Sequence, residues 1–481
     1  MISCRQRTIA TAPKPTPQFF LTRISPECGG RALDSRPLTL PTHMLLRSCI
    51  SSILGLLSAV LLALAGCFTT ANAQDYLTPN DVVLPPEAAS QEALNLSASK
   101  TSLRFGGLDF FLYASATAMY DDNILINHSN AQSDVEWTLS PGVMIVAGDV
   151  SSYFPGDVTL GQIRGLLNYS PVEESSKPQR FFAVDYNPSA NFFTDHTQYN
   201  NVDQKEGLSA GYAFSRLVLG IDQDFTRTEV KDNDAGGRLL MAILNTKLWS
   251  RYEFTDRTYL EINGQYTWLE YPDTTFQGFQ EFRNEDWVNR QVGARLSVGL
   301  GAAFGLVDPD VSAKQNYQQA LVRGLYQVTG KLQLWTSAGI EYREYSSGQP
   351  STLYPVFTLV ASYRPVDTTT LTLEAHRREE PNFTGQYNFQ ILGFSAGVRQ
   401  HVLGRFYAEL LAGYDHIDYT TLQAGPISSR TDEYFSTRAN LDYEFNPHWK
   451  ASLFYVRRQD DSSFLAYTYA NNMVGLQVSW R

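Results

Sequence analysis

The chain has 481 residues, 43% of them apolar and 13% aromatic, with a formal charge of −11 and a mean hydropathy of −0.25. That hydropathy excludes a bundle of membrane helices, and the one long apolar run, Ile53 to Ala65, falls short of the roughly eighteen residues a spanning helix needs. Residues 1–73 carry seven Lys or Arg against two Asp or Glu, so about −16 rests on the remainder, which excludes a phosphate backbone as partner.

Residues 1–43 hold six basic residues and Pro13, Pro15 and Pro17, with no apolar period, and read as an extension outside the functional protein. Met44 opens a secretory signal over 44–73: Arg47 is its positive region, Ile53 to Ala65 its apolar core, and Ala71-Asn72-Ala73 a small-x-small cleavage site before Gln74. Leu64-Ala65-Gly66-Cys67 offers an alternative, a lipobox in which Cys67 is lipidated. All four cysteines, Cys4, Cys28, Cys49 and Cys67, precede residue 74, so the mature chain carries neither a disulfide framework nor a thiolate metal site. Residues 74–107 are polar, contain Pro79, Pro85 and Pro86, and read as a periplasmic lead-in with little structure.

From Leu108 to the end the chain reads as hairpins. Short connections fall near Phe214-Ser215-Arg216, Thr255-Asp256-Arg257, Gly293-Ala294-Arg295, Val328 to Lys331, Arg364 to Asp367, Leu403-Gly404-Arg405 and Phe445 to His448. Longer polar stretches alternate with them, among them Tyr120 to Ser133, Val230 to Gly237, Glu379 to Gln386 and Asp418 to Arg430. Short turns at one end and longer loops at the other are the asymmetry of bacterial outer-membrane barrels, short turns facing the periplasm. One core of this size would ordinarily split into domains. A barrel escapes that limit because lipid covers its outside and water its inside.

Period-two alternation supports the hairpins, because neighbouring side chains in a strand point to opposite faces. Leu260, Ile262, Tyr266 and Trp268 oppose Glu261, Asn263, Gln265 and Thr267. Ala439, Leu441, Tyr443 and Phe445 oppose Arg438, Asn440, Asp442 and Glu444, and the last strand sets Val474, Leu476, Val478 and Trp480 against Gly475, Gln477, Ser479 and Arg481. Strands near Phe406 and Phe454 are less clean, with apolar residues on both faces. Segmenting the chain at these landmarks predicts an all-β, single-chain transmembrane antiparallel barrel of about eighteen strands, within sixteen to twenty, over 108–481. Gly148 to Gln179 is left over and is expected to be a long periplasmic excursion.

Tyr120-Asp121-Asp122-Asn123-Ile124, then Ser133-Asp134, then Ser140-Pro141-Gly142 open the barrel. These motifs resemble the first hairpin of the second-type β-barrel porin family of bacterial outer membranes, and the resemblance spans roughly 108–481. It implies an outer-membrane location, and some relatives sit beside exopolysaccharide synthesis and export systems. Physics reads Asp121, Asp122 and Asn123 first as turn formers, because Asp and Asn bond their own backbone, with a Ca²⁺ loop as the alternative. Pro141 within a strand marks a bulge or an irregular edge.

No G-x-S-x-G, P-loop or H-E-x-x-H pattern occurs, so no enzyme is expected. Asp415-His416 and the Glu374-x-His376 pair are weak acid/base candidates that read better as polar barrel residues. The expected lumen-lining set is Glu261, Asn263, Gln265, Glu341, Arg343, Glu374, His376, Arg438, Asn440, Asp442 and Glu444. No cofactor is expected. The expected partners are outer-membrane lipid, the barrel assembly machinery that inserts such chains and, under a second reading, components of polysaccharide export. The expected function is passage of small polar solutes or oligosaccharides, the alternative being an accessory barrel of an exopolysaccharide-export or surface-assembly system.

Overall fold

The computed structural model describes residues 102–148, 180–232, 237–272, 276, 278–310, 312–381, 387–421 and 429–481. The expected cleavage site at Ala73 and Gln74, the alternative at Cys67, and the excursion over 149–179 lie outside the described residues. No described helix is long and apolar enough to cross a membrane, and two single 3₁₀ turns, Thr197–Tyr199 and Leu465–Tyr467, are the helical pieces among the described residues.

Everything else of regular structure is strand. A short β1 (Ser102–Phe105) turns through Gly106 and Gly107, both at positive φ, into β2 (Leu108–Asp121), followed by β3 (Asp134–Ala147). The next wall strand is broken into β4 (Arg180–Tyr186) and β5 (Ser189–Phe193). Then come β6 (Asn201–Ala213), β7 (Leu217–Asp232), β8 (Gly237–Thr255), β9 (Thr258–Glu270), β10 (Phe279–Gly293) and β11 (Leu296–Pro309). The rest are β12 (Gln315–Gln327), β13 (Leu332–Tyr345), β14 (Thr352–Val366), β15 (Thr369–Pro381), β16 (Tyr387–Leu403), β17 (Phe406–Thr421), β18 (Ser429–Asn446), β19 (Trp449–Ser462) and β20 (Tyr469–Trp480).

Each strand pairs antiparallel with its neighbours in sequence, and β20 returns to β2 over Ala114↔Trp480 to Asp121↔Met473. The sheet therefore closes, and with β4 and β5 counted as one wall strand and the short β1 left out the barrel has eighteen, the expected number. Below Ala114, where β20 has ended, β1 takes over the same edge of β2. Closure leaves no free edge at either flank of the wall.

Two prolines mark the irregular places, as a residue without an N–H must. Pro141 sits on β3 between the stretch that pairs β5 and the stretch that pairs β4, and the Asn187 side-chain amide donates to its carbonyl at 2.9 Å. Pro355 lies on the part of β14 above Phe357, which β15 leaves unpaired.

The outer face is apolar. Leu248, Leu300, Leu353, Leu373 and Val474 are exposed and point away from the barrel axis, Leu300 with 69% of its surface open. An apolar band of this extent in water marks a surface made for lipid. At the short-turn end rings pair on the outside, Tyr212 with Phe214 at 4.6 Å, Tyr252 with Phe254 at 5.1 Å and Tyr443 with Phe445 at 4.9 Å. They form an aromatic girdle, so this is the periplasmic end of an outer-membrane barrel. The opposite connections are longer, but shorter than the sequence implies. Several expected loop residues, such as 379–381 and 418–421, continue the strands instead.

On the last strand Leu476 is 50% exposed and Gln477 is 6% exposed. Arg at Leu476 is expected to cost about 2–4 kcal/mol near the bilayer midplane, whereas Arg at Gln477 enters a polar interior. Heat-modifiable gel mobility checks this: L476R should lose most of its folded band and Q477R should keep it.

Candidate functional site

The inner face carries the charge. Contacts between strands that are not neighbours identify it, because such residues can meet only across the interior. Arg343 on β13 is buried and donates to Glu341 at 2.7 Å and to Gln315 on β12 at 2.7 Å, with Glu379 on β15 at 3.5 Å. Tyr354 and Tyr345 donate to Glu341 and Glu379 at 2.7 and 2.9 Å. Gln315 also exchanges hydrogen bonds with Asn388 on β16 at 2.8 and 2.9 Å, four strands away along the wall. Two buried carboxylates thus share one guanidinium, whose face lies 4.7 Å from the Tyr317 ring centroid.

Other expected residues form separate inner groups. Glu261 on β9 pairs with Arg323 on β12, which also donates to Asn289 at 2.8 Å and stacks 4.4 Å over Trp287. Arg323 passes over Gly299 on β11, where a Cβ would collide with the Asn289 side chain. Asn263 instead donates to the backbone of Glu285 at 3.0 Å, and Gln265 stands between Lys247 and Arg283 in register.

Buried His376 on β15 places its ring nitrogens 3.5 Å from Glu374 and 3.6 Å from Asp415 on β17. Gly393 on the intervening β16 permits this, since a Cβ there would meet both the ring and the carboxylate. On β18, Arg438 donates to Asn440 at 3.1 Å, Asn440 to Glu409 at 3.1 Å, and Asp442 holds the buried Lys450 at 2.7 Å. Glu444 faces Lys450 across the β18–β19 pairing. His416, by contrast, lies at the loop end with Glu433 at 2.8 Å and Asp418 at 3.5 Å, away from His376.

Alternation did not reveal that the loop-end mouth is filled. Asp121 accepts from the Asn123 backbone at 2.9 Å and from Asn471 at 2.6 Å, while Asp122 accepts from the Asn472 backbone and side chain, both at 2.7 Å. The Asn123 side chain binds Asn127 and Ala470. These carboxylates act as turn formers, and they fold the loop inward rather than outward. Ile126, at a φ of 48°, packs with Phe389, Ile391, Ile417, Tyr419, Tyr434 and Tyr469 from β16, β17, β18 and β20. Asp134 holds the next loop: its carboxylate accepts from the backbone of Thr194 and His196 at 3.1 and 2.8 Å and from the His196 ring at 2.9 Å.

The second filling element is a hairpin. β6 accompanies β7 only as far as Arg227, and β9 accompanies β8 only from Ala242. Beyond those points, 228–232 and 237–241 pair only with each other, yet both faces are covered. One face sets Val230, Leu239 and Met241 against Tyr271, Phe279, Val307 and Tyr317 of the β9–β12 side. The other reaches the opposite side. Lys231 forms an ion pair with Asp121 of β2 and approaches the Met473 sulfur of β20 at 3.9 Å, while Arg238 lies 4.7 Å over the Phe193 ring.

The sequence carries a trace of this. Leu239 to Leu244 is an unbroken apolar run, which fits a strand covered on both faces rather than a wall between lipid and water. The unclean alternation near Phe454 has a related cause: Phe454 and Val456 point inward and pack with Met119 and Met473.

No family model matches the chain, and no curated protein matches it. Solved structures of similar architecture include Acinetobacter baumannii OccAB4, at 10% identity and a TM-score of 0.41 over 77% of this chain and 97% of that one. Pseudomonas aeruginosa OccK2 (OpdF), solved in complex with glucuronate, matches at 11% and 0.43 over 77% and 98%. Pseudomonas aeruginosa OpdL matches at 9% and 0.43 over 78% and 99%. The second-type porin family indicated by the opening motifs is matched by none of these comparisons.

Removing one partner of a buried ion cluster strands the others, at about 3–5 kcal/mol. R343M leaves Glu341 and Glu379 without their cation, so its folded band should convert to the unfolded form at distinctly lower temperature. E344Q, on the exposed side of the same strand, should match the unaltered protein in the same assay.

Proposed function

We propose that the chain is a porin-like channel of the bacterial outer membrane, passing small polar solutes or oligosaccharides along the barrel interior. One observation carries the reading: a closed wall has lipid-compatible residues outside and ion-paired, hydrogen-bonded side chains inside along its depth, from Lys450 and Asp442 near the turns to Arg343 and Glu379 near the loops. An apolar interior would suffice for a purely structural barrel. Charged groups repay their desolvation best where water and solute share the space.

The eleven expected lumen-lining residues are assigned to this inner face from the alternation. Five are acidic, Glu261, Glu341, Glu374, Asp442 and Glu444, against two arginines, Arg343 and Arg438. Fixed charge concentrates the opposite ion, so the channel prefers cations mildly. The exopolysaccharide-export alternative has no feature of the described residues in its favour. A hydrolase would need a nucleophile with its base within hydrogen-bond reach at the rim.

Cysteine scanning in open outer-membrane fragments tests the lumen. Cys at Glu261, Asn263, Arg438 and Asn440 should react with a small water-soluble thiol reagent, and Cys at Leu260, Ile262, Ala439 and Leu441 should not. Reversal potentials in planar bilayers under a salt gradient should then show the cation preference. Labelling confined to the second set would sink the assignment.

A further inference from the structure

We propose that the inturned ends of β7 and β8, residues 228–232 and 237–241, form a gate across the external mouth, latched by the Lys231–Asp121 ion pair. The proposal rests on the channel reading above and adds the element that must move for solute to pass.

Distance along the wall makes the argument. Between β7 and β2 stand β6, the β4–β5 strand and β3, so at about 4.8 Å per step the two are about 19 Å apart around the sheet. A lysine cannot span that arc. Lys231 reaches Asp121 only because the hairpin has left the wall and leans across the opening, and the pair is sealed, with 10% of the lysine side chain and none of the aspartate side chain exposed.

The rest of the hairpin is shaped for this position. By strand parity Lys231 and Glu229 share the face opposite Val230, so a hairpin continuing the wall would turn both charged groups outward. In the observed position Glu229 instead accepts from Asn201 at 2.8 Å and from Arg238 at 2.9 Å, beside the β5 ring of Phe193. The apolar face, Val230, Leu239 and Met241, rests on Tyr271, Phe279 and Tyr317. Apolar packing of this kind is non-directional. Lys231 supplies a directional, charged link across the opening to Asp121.

Its partner, Asp121, is already committed. It accepts from the Asn123 backbone and from Asn471, and so belongs to the inward loop that buries Ile126. Lys231 therefore ties the hairpin to the loop, and the two meet over the mouth. A solute would find the opening shut while the pair holds.

The test uses the mature protein in planar bilayers, with heat-modifiable mobility confirming that each variant folds. K231Q and D121N should each raise the open probability or unitary conductance several-fold. The exchange K231D with D121K restores an ion pair with the charges swapped and should return conductance towards the original level. L239S with M241S loosens the seat without touching the latch and should also open the channel. Folded K231Q and D121N conducting no better than the original, with L239S/M241S conducting freely, would overturn the latch and leave the channel standing. No conductance from any folded variant, L239S/M241S included, would remove the channel reading and the gate with it. Opening by both single variants that the exchange fails to reverse would show that Lys231 and Asp121 act separately, which also overturns the latch.

Discussion

Everything in this protein depends on the meeting of β2 with β20. Inside a bilayer an unpaired backbone amide costs several kcal/mol, so a sheet can cross only if its first and last strands find each other. Ala114 to Asp121 and Met473 to Trp480 make that join in continuous register. Once the ring is closed, every wall strand has two neighbours, and the alternating faces acquire fixed meanings: one side meets lipid, the other meets only its own kind.

The interior that results is not an empty cylinder. Near the periplasmic turns the charges pair locally, Lys450 with Asp442 on adjacent strands. Towards the loops the pairings grow longer, from Arg323 and Glu261 three strands apart to Gln315 and Asn388 four apart. The trend has a geometric cause. Strands β7 and β8 outrun their flanking partners, β14 and β15 part beyond Phe357 and Arg377, and an unpaired strand end is freed from the wall's curvature. The β7–β8 hairpin uses that freedom to turn inward, and elsewhere near the loops adjacent residues of one strand find different partners. Phe389 enters the apolar cluster around Ile126 while its neighbour Asn388 binds Gln315.

The antiparallel barrel and its strand number were legible from alternation and turn spacing, because a strand has only two faces and one of them must suit lipid. Glu341, Arg343, His376 and Arg438 were expected on the inner side for that reason alone. Their partners were not legible. Nothing in sequence spacing says that Arg343 meets both Glu341 and Glu379, or that Gly393 lets His376 approach Asp415 across a whole strand. The inward hairpin was missed for a different reason. Val230 to Gly237 is polar enough to read as an external loop, and alternation reports a face without reporting whether the strand still belongs to the wall. The apolar run Leu239 to Leu244 and the two isoleucines at 124 and 126 were the only local signs.

The hydrogen bonds from Asn471 and Asn472 to Asp121 and Asp122 bear on the order in which the molecule can be made. The donors arrive with the final strand, some 350 residues after their acceptors. The loop that buries Ile126 therefore cannot take its native shape on a growing or half-inserted sheet, whatever the rest of the wall has done. A barrel caught before its seam is zipped has an unformed mouth as well as an open side, and the single event that completes the ring also supplies the clasp for its entrance.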